Sequence, residues 1–309
     1  MKIAIIGAGA MGSVYGGLLA KTGHEVWLVD VWREHIEAIR ANDLRVDTPE
    51  GTHTVKVNAV THAEETGAVD WVIVFVKSYH TASAIAQNSA LFGDETTFLT
   101  LQNGHGNLEA ITEAVGDNRA VGGVSYISAT VHTPGHVEQT SGGKTVIGEL
   151  NGARTKRIQE MSEVLETAGF SGGITEDIQS IMWGKLIVNI MGNALSAVTG
   201  LTSYGIAHSP DAKTMMKLVG DEAANVANAL GIQLPYDDPA AYILDEIGEG
   251  GPGRASMLQD VDRKRRTEID AMNGVIVREG ERLGIPVPYN RAMTHLVRAT
   301  ESGYLGEDS

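Results

Sequence analysis

Residues 2–30, KIAIIGAGAMGSVYGGLLAKTGHEVWLVD, decide the fold. Lys2–Ile6 is a short apolar run of the kind buried on both faces of a parallel sheet. The residues Gly7, Ala8, Gly9, Ala10, Met11 and Gly12 follow with G-x-G-x-x-G spacing. That spacing supplies a tight turn, a bare backbone where a pyrophosphate approaches, and close packing of helix on strand. Met11–Lys21 is apolar at helical spacing and stops at Gly23, and His24–Val29 forms the next strand. Asp30 ends it, about 20 residues beyond the loop, where a carboxylate accepts from ribose hydroxyls. The unit predicts dinucleotide binding, with helix N–H groups aimed at the phosphates.

Asp30 favours NAD over NADP, because a 2′-phosphate would meet like charge. Arg33 offers the opposite reading, as a partner for that phosphate, or it is a solvated residue at a helix start. Further strands are expected at Val69–Val76, Thr97–Leu101, Ala120–Ala129 and Thr145–Glu149, with helices at Val31–Arg40, Tyr79–Gln87 and Asn107–Val115. Alternation of this kind predicts a doubly wound α/β sheet of Rossmann type. Turn residues at 133–135 and 141–143 predict antiparallel additions at its edge.

Beyond Ile174 the character changes to helical periods at Ile178–Val198, Asp211–Leu230, Pro239–Ile247 and Ser256–Leu283. Two domains are expected, a Rossmann domain over 1–175 and an all-α domain over 176–309, with a flexible loop at Gly248–Gly253.

Composition narrows the function classes. The 39 acidic against 24 basic residues give a formal charge of -15, which repels nucleic acid and anionic membrane surfaces. The absence of cysteine excludes disulfides, thiolate metal sites and cysteine nucleophiles, and fits a reducing cytoplasm. The histidines show no ligand spacing, so no metal is expected. Lys2 and the apolar stretch to Ala20 imitate a secretory signal, but the glycine spacing and the strand that follows argue against one. Trp183-Gly184-Lys185 and two asparagines break the apolar run of 178–198 within the roughly 20 residues a membrane span needs, so no span is expected.

Lys185, Asn189 and Asn193 recur at steps of four and share one stripe of an otherwise apolar helix. Buried amides and ammonium groups need partners, so the stripe either meets a polar ligand or is a solvated face. Ser256-Met257-Leu258-Gln259 reads as a capping box opening a long helix, an end that also attracts anions. Lys77 and Asn103 stand at the carboxyl ends of parallel strands, where ligands bind in open α/β sheets.

Together, the glycine loop, Lys77, Gln102-Asn103-Gly104, the Lys185 helix, Ser256–Asp260 and Thr267-Glu268-Ile269-Asp270 resemble the ketopantoate reductase family over nearly the whole chain. The resemblance implies a site between a Rossmann domain and a helical domain. Hydride there passes from NAD(P)H to the ketone of 2-dehydropantoate, giving (R)-pantoate. Lys185 is implied as the catalytic lysine, with Glu268 close to it and to the cofactor ribose. Asn103, Asn189, Asn193 and Ser256 are implied substrate contacts. Lys77, Asn103, Ala129 and Glu268 are implied cofactor contacts beside the glycine loop and Asp30. Glu268 with Arg265 and Arg266 also reads as a solvated charged face, and His105 is an alternative acid or base.

Many members of that family carry an arginine for the NADP phosphate where this chain has Asp30-Val31. Two alternatives therefore stand beside a 2-keto acid reductase: an NAD-dependent D-2-hydroxyacid dehydrogenase, and a protein that senses NAD(H) without chemistry. A homodimer is expected, as the commonest oligomer.

Overall fold

The computed structural model describes residues 1–248 and 253–306, so most of the glycine-rich loop expected at 248–253 lies outside the described residues. The chain divides into two compact units: residues 1–102 with 106–178, and residues 103–105 with 179–309.

The first unit runs β1 (Lys2–Ile6), α1 (Ala10–Lys21), β2 (Glu25–Val29), α2 (Arg33–Asn42), β3 (Leu44–Thr48), β4 (Gly51–Val55), β5 (Asn58–Val60), β6 (Val69–Val74), α3 (Thr81–Gln87), β7 (Phe92–Thr100), α4 (Asn107–Val115), β8 (Ala120–Thr133), β9 (His136–Glu149) and α5 (Lys156–Thr167). Nine strands form one sheet in the order β4-β3-β9-β8-β7-β6-β1-β2-β5. The centre is parallel, with β1 between β2 and β6. Ile3, Ile5, Leu28, Ile73 and Leu99 anchor its core. The expected antiparallel addition is the β8–β9 hairpin.

Four elements of this unit, β3, β4, β5 and α5, lie outside those expected from the sequence. The β3–β4 hairpin buries only Leu44, Val46 and Val55, too few apolar residues to stand out from a polar loop, and β5 is three residues long. α5 is amphipathic, burying Ile158, Met161, Ser162 and Leu165, and the Thr155 side chain accepts from the Ile158 N–H at its start.

The second unit is helical: α6 (Ile178–Thr199), α7 (Ser203–His208), α8 (Pro210–Ala229), α9 (Pro239–Ile247), α10 (Ser256–Asp262), α11 (Asn273–Leu283) and α12 (Pro288–Ser302). Trp183, Ile187, Met191, Met216, Val226 and Ile276 centre its core.

α6 is continuous, as the helical period over Ile178–Val198 predicts. It runs for 22 residues through Trp183-Gly184-Lys185, because a Cβ at Gly184 would stand 2.7 Å from Pro235 and Tyr236 donates to the Gly184 carbonyl at 2.6 Å. Close packing there offsets the roughly 1 kcal/mol that a mid-helix glycine costs. By length and composition α6 could cross a membrane, yet most of it is buried inside the protein. It is a core helix.

The long helix expected over Ser256–Leu283 divides into α10 and α11. α10 ends at Asp262 and is closed by Lys264, whose φ is 53°, with Lys264 N–H donating to the Val261 carbonyl and Arg265 N–H to the Asp260 carbonyl. This paired 5→2 and 6→1 closure is a Schellman motif with lysine in the position that favours glycine. A 3-10 turn at Ile269–Ala271 then leads into α11.

Candidate active site

In the first unit, the glycines of the loop have different jobs. Gly7 has φ +96°, and a Cβ there would stand 2.7 Å from the Val76 nitrogen; one at Gly12 would stand 1.9 Å from the Gly7 carbonyl oxygen. Gly12 lets α1 close on β1 and the loop, and Gly7 lets the loop pass against the segment after β6. A Cβ at Gly9 would meet nothing within 4 Å, so this is the open face of the loop. Gly9 is also the N-cap of α1, which carries no side-chain cap and no acidic residue in its first turn. The loop therefore fits a pyrophosphate, with α1's first N–H groups and dipole directed at it.

Asp30 follows β2 directly. Its Oδ2 accepts from the Ala8 N–H at 2.6 Å and its Oδ1 from the Trp32 N–H at 2.8 Å. An ionised carboxylate has about four acceptor sites, so two remain for ribose hydroxyls. Val31 beside it is 87% exposed, and Arg33 is exposed at the start of α2.

Lys77 is not at a strand end, as expected, but three residues past β6, half-buried, preceding the 3-10 turn Ser78–His80. Gln102 Nε2 donates to the Val76 carbonyl at 2.7 Å and to Thr81 Oγ1 at 2.8 Å, and Thr81 donates to Asn107 Oδ1 at 2.7 Å. This clamp fixes the loops after β6 and β7. Only the motif Gln102-Asn103-Gly104 hinted at it. Ala129, expected at a strand end, lies inside β8, which continues to Thr133. It follows a register shift against β9, beyond the residues paired with β7. The bulge hides in a run whose alternation ends near Ala129.

In the second unit, Lys185, Asn189 and Asn193 share α6. Lys185 and Asn189 are half-buried and Asn193 is buried. Burial pushes the Lys185 ammonium down to about 8, since desolvation disfavours the charged form. Asn189 Nδ2 donates to Asn103 Oδ1 at 3.4 Å. The loop carrying Asn103 is held from behind: His105 N–H donates to the Ala271 carbonyl at 2.8 Å. His105 also meets Trp183 edge-on, with ring centroids 5.3 Å apart.

Ser256 donates to Asn193 Oδ1 at 3.3 Å. The expected capping box is absent: Ser256 is the first helical residue after Ala255, which offers no side-chain cap, and Gln259 Nε2 donates to the Arg254 carbonyl at 2.9 Å instead. Glu268 is 8% exposed, so it is not part of a solvated face. The Thr267 N–H before it donates to buried Glu301 at 2.5 Å. Among the described residues, no group of three or more His, Asp or Glu is placed to hold a metal ion. Asn103 thus meets α6 at Asn189 and Ser256 meets it at Asn193, on the helix that also carries Lys185.

Two family models match this chain. Ketopantoate reductase PanE/ApbA covers residues 3–152, and the C-terminal domain model of the same family covers residues 177–301. The chain belongs to the ketopantoate reductase family.

Relatives within that family include the 2-dehydropantoate 2-reductase of Pyrococcus horikoshii, 35% identical with 98% of each chain covered. That of Mesorhizobium japonicum is 32% identical, covering 98% of this chain and 99% of the relative. Among solved structures, the ketopantoate reductase of Ralstonia eutropha superposes with TM-score 0.91 at 35% identity, over 98% of this chain and 99% of its own. D-mandelate dehydrogenase in ternary complex with NADH and anilino(oxo)acetate superposes with TM-score 0.93 at 28% identity over 98% and 99%. This ketopantoate reductase family member is an NAD(P)-dependent oxidoreductase, with a Rossmann sheet followed by a helical domain.

Proposed function

We propose that this oxidoreductase reduces the ketone of a branched 2-keto acid, 2-dehydropantoate or a close analogue, to the (R)-2-hydroxy acid, and that it prefers NADH to NADPH. The observation that carries the reading is Lys185: a half-buried amine, its pKa pushed down to about 8, in phase with two amides on one helix. An acid of that strength is matched to protonating an alkoxide at neutral pH.

The roles divide by unit. In the first, a dinucleotide-binding domain, Gly7–Gly12 would hold the pyrophosphate and Asp30 the adenosine ribose, with Lys77 and the Ala129 backbone as further contacts. A reduced nicotinamide bound there supplies hydride. In the second, a substrate domain, the Lys185 ammonium hydrogen-bonds the keto oxygen, stabilises charge growing on it and donates its proton. Asn189 and Asn193 orient the keto acid, Asn103 contacts substrate and cofactor, and Ser256 donates to the substrate carboxylate. Glu268, buried in the same unit, is assigned a place beside Lys185 that orients its amine.

A second reading is supported by the likeness to D-mandelate dehydrogenase: the same chemistry on another 2-keto or D-2-hydroxy acid, with NAD. The proposal includes a homodimer through the second unit, whose α7 and α12 expose Tyr204, Tyr289 and Leu296, and a cytoplasmic setting without nucleic-acid or membrane partners, in keeping with the charge of -15. A monomeric mass by light scattering would remove the dimer.

Initial rates with NADH and NADPH, against 2-dehydropantoate and a panel of other 2-keto acids, test the reading. The expected outcome is turnover that prefers a branched keto acid and NADH, and that Asp30→Ala turns toward NADPH. Turnover unaffected by Lys185→Ala would sink the mechanism. A higher kcat/KM on another keto acid would select the second reading.

A further inference from the structure

His35 is fully buried in the first turn of α2. Its Nδ1 accepts from the Gly135 N–H at 3.0 Å, in the turn joining β8 to β9. A backbone N–H only donates, so Nδ1 carries no proton and the ring is the neutral Nε2–H tautomer. Burial agrees, holding the imidazole below the ordinary histidine range against the opposing charge of Asp30. Nε2–H therefore donates to Ser13 Oγ at 3.0 Å, and Ser13 donates to the Ala8 carbonyl at 2.8 Å.

The series closes on itself. Ala8 donates its N–H to Asp30 Oδ2, and Trp32 donates to Asp30 Oδ1. The Trp32 ring stacks on His35, with centroids 4.7 Å apart and planes 14° from parallel. Ala8, Asp30, Trp32, His35 and Ser13 thus form a ring of contacts around the peptide between the first two loop glycines. The far end is anchored as well. Gly135 has φ +79°, its Cβ position lies 3.2 Å from Ala38, and its carbonyl accepts from the Arg45 N–H at 2.9 Å.

We propose that His35, acting through Ser13, is a positioning residue that presets the Ala8 peptide, and with it the Asp30 carboxylate, for the dinucleotide. The inference rests on the dinucleotide reading of Gly7–Gly12. A loop rich in glycine loses more freedom on ordering than any other, so contacts already made in the ligand-free protein spare binding that loss. Ser13 grips the Ala8 carbonyl while Asp30 grips its N–H, fixing both ends of the loop's second residue.

Titration with NADH and NADPH, followed by nucleotide fluorescence, of the wild type, Ser13→Ala, His35→Leu and His35→Gln tests this. Ser13→Ala and His35→Leu raise the Kd of the preferred nucleotide about tenfold, the effect of one hydrogen bond to a preset loop. kcat at saturating nucleotide stays within about twofold, and KM for the keto acid is unchanged. His35→Gln, whose amide spaces an acceptor and a donor much as the ring does, recovers most of the loss. An unchanged Kd in Ser13→Ala, which removes one hydroxyl and decides alone if His35→Leu does not fold, overturns the inference. So does an equal loss in kcat. No nucleotide binding by the wild type takes down the dinucleotide reading together with this one.

Discussion

The Asn193 amide oxygen accepts from the Ser256 hydroxyl at 3.3 Å and from the Met257 N–H at 3.5 Å. α6 thereby supplies, from 63 residues upstream, the acceptor that a helix N-terminus ordinarily takes from its own N-cap side chain. One amide both starts α10 and holds the serine proposed to meet the substrate carboxylate.

Asn193→Ala is therefore expected to raise KM for the keto acid about tenfold while lowering kcat less, since it loosens Ser256 without touching Lys185. Asn193→Asp should be worse, because it brings a carboxylate toward an anionic substrate. Steady-state kinetics at saturating nucleotide measure both, and an unchanged KM in Asn193→Asp would remove Asn193 and Ser256 from substrate recognition.

Lys185 sets a pH profile. With its pKa at about 8, the protonated acid needed for ketone reduction is lost as pH rises through that value, so kcat for reduction falls on the alkaline side. Oxidation of the hydroxy acid needs the neutral amine and rises over the same range. Lys185→Ala is expected to lose roughly 10²–10⁴-fold in kcat and the alkaline limb with it. A limb that persists in Lys185→Ala would assign the titration to another group.

The same lysine is costly to the fold. Below about pH 8 the folded state holds a charged amine that burial has stripped of water, and unfolding relieves that cost; the cost fades as pH rises through 8 toward the ordinary lysine value. Lys185→Met is expected to gain roughly 1–2 kcal/mol at pH 7 while losing turnover. Denaturant melts at pH 7 and pH 9.5 check the sign: the gain shrinks at the higher pH.

Lys264 carries left-handed backbone at φ 53°. Glycine there removes strain of about 1–2 kcal/mol but adds about 0.5–1 kcal/mol of unfolded-state entropy. Lys264→Gly should thus be stabilising by about 0.5 kcal/mol, and Lys264→Val, β-branched in that region, destabilising by more than about 1 kcal/mol. Equal melting temperatures for the two variants would remove the Schellman closure as the reason α10 stops.

What was legible in the chain was local. β1, the glycine loop and α1 are contiguous, so spacing alone predicts the turn at Gly7 and the close approach at Gly12. The in-phase stripe on α6 was legible for the same reason. Ser256 was misread because Ser-x-x-Gln is a cap only when no other acceptor arrives, and Asn193 arrives from a distant helix. The end of α10 was hidden because lysine carries no turn signal; its conformation is fixed by the carbonyls of Asp260 and Val261. His35 looks like any helix residue until Gly135, 100 positions away, donates to it.

Residues 103–105 group with the helical unit although they are encoded between β7 and α4. Gly104, at φ +83° with its Cβ position 2.8 Å from the Ala271 carbonyl, admits no ordinary side chain there. The two units are consequently not interchangeable cassettes. A chimera joined at residue 178 inherits Asn103 from one parent, and the Ala271 and Trp183 that seat its loop from the other. Recombination between relatives conserves this module only when that tripeptide travels with the helices.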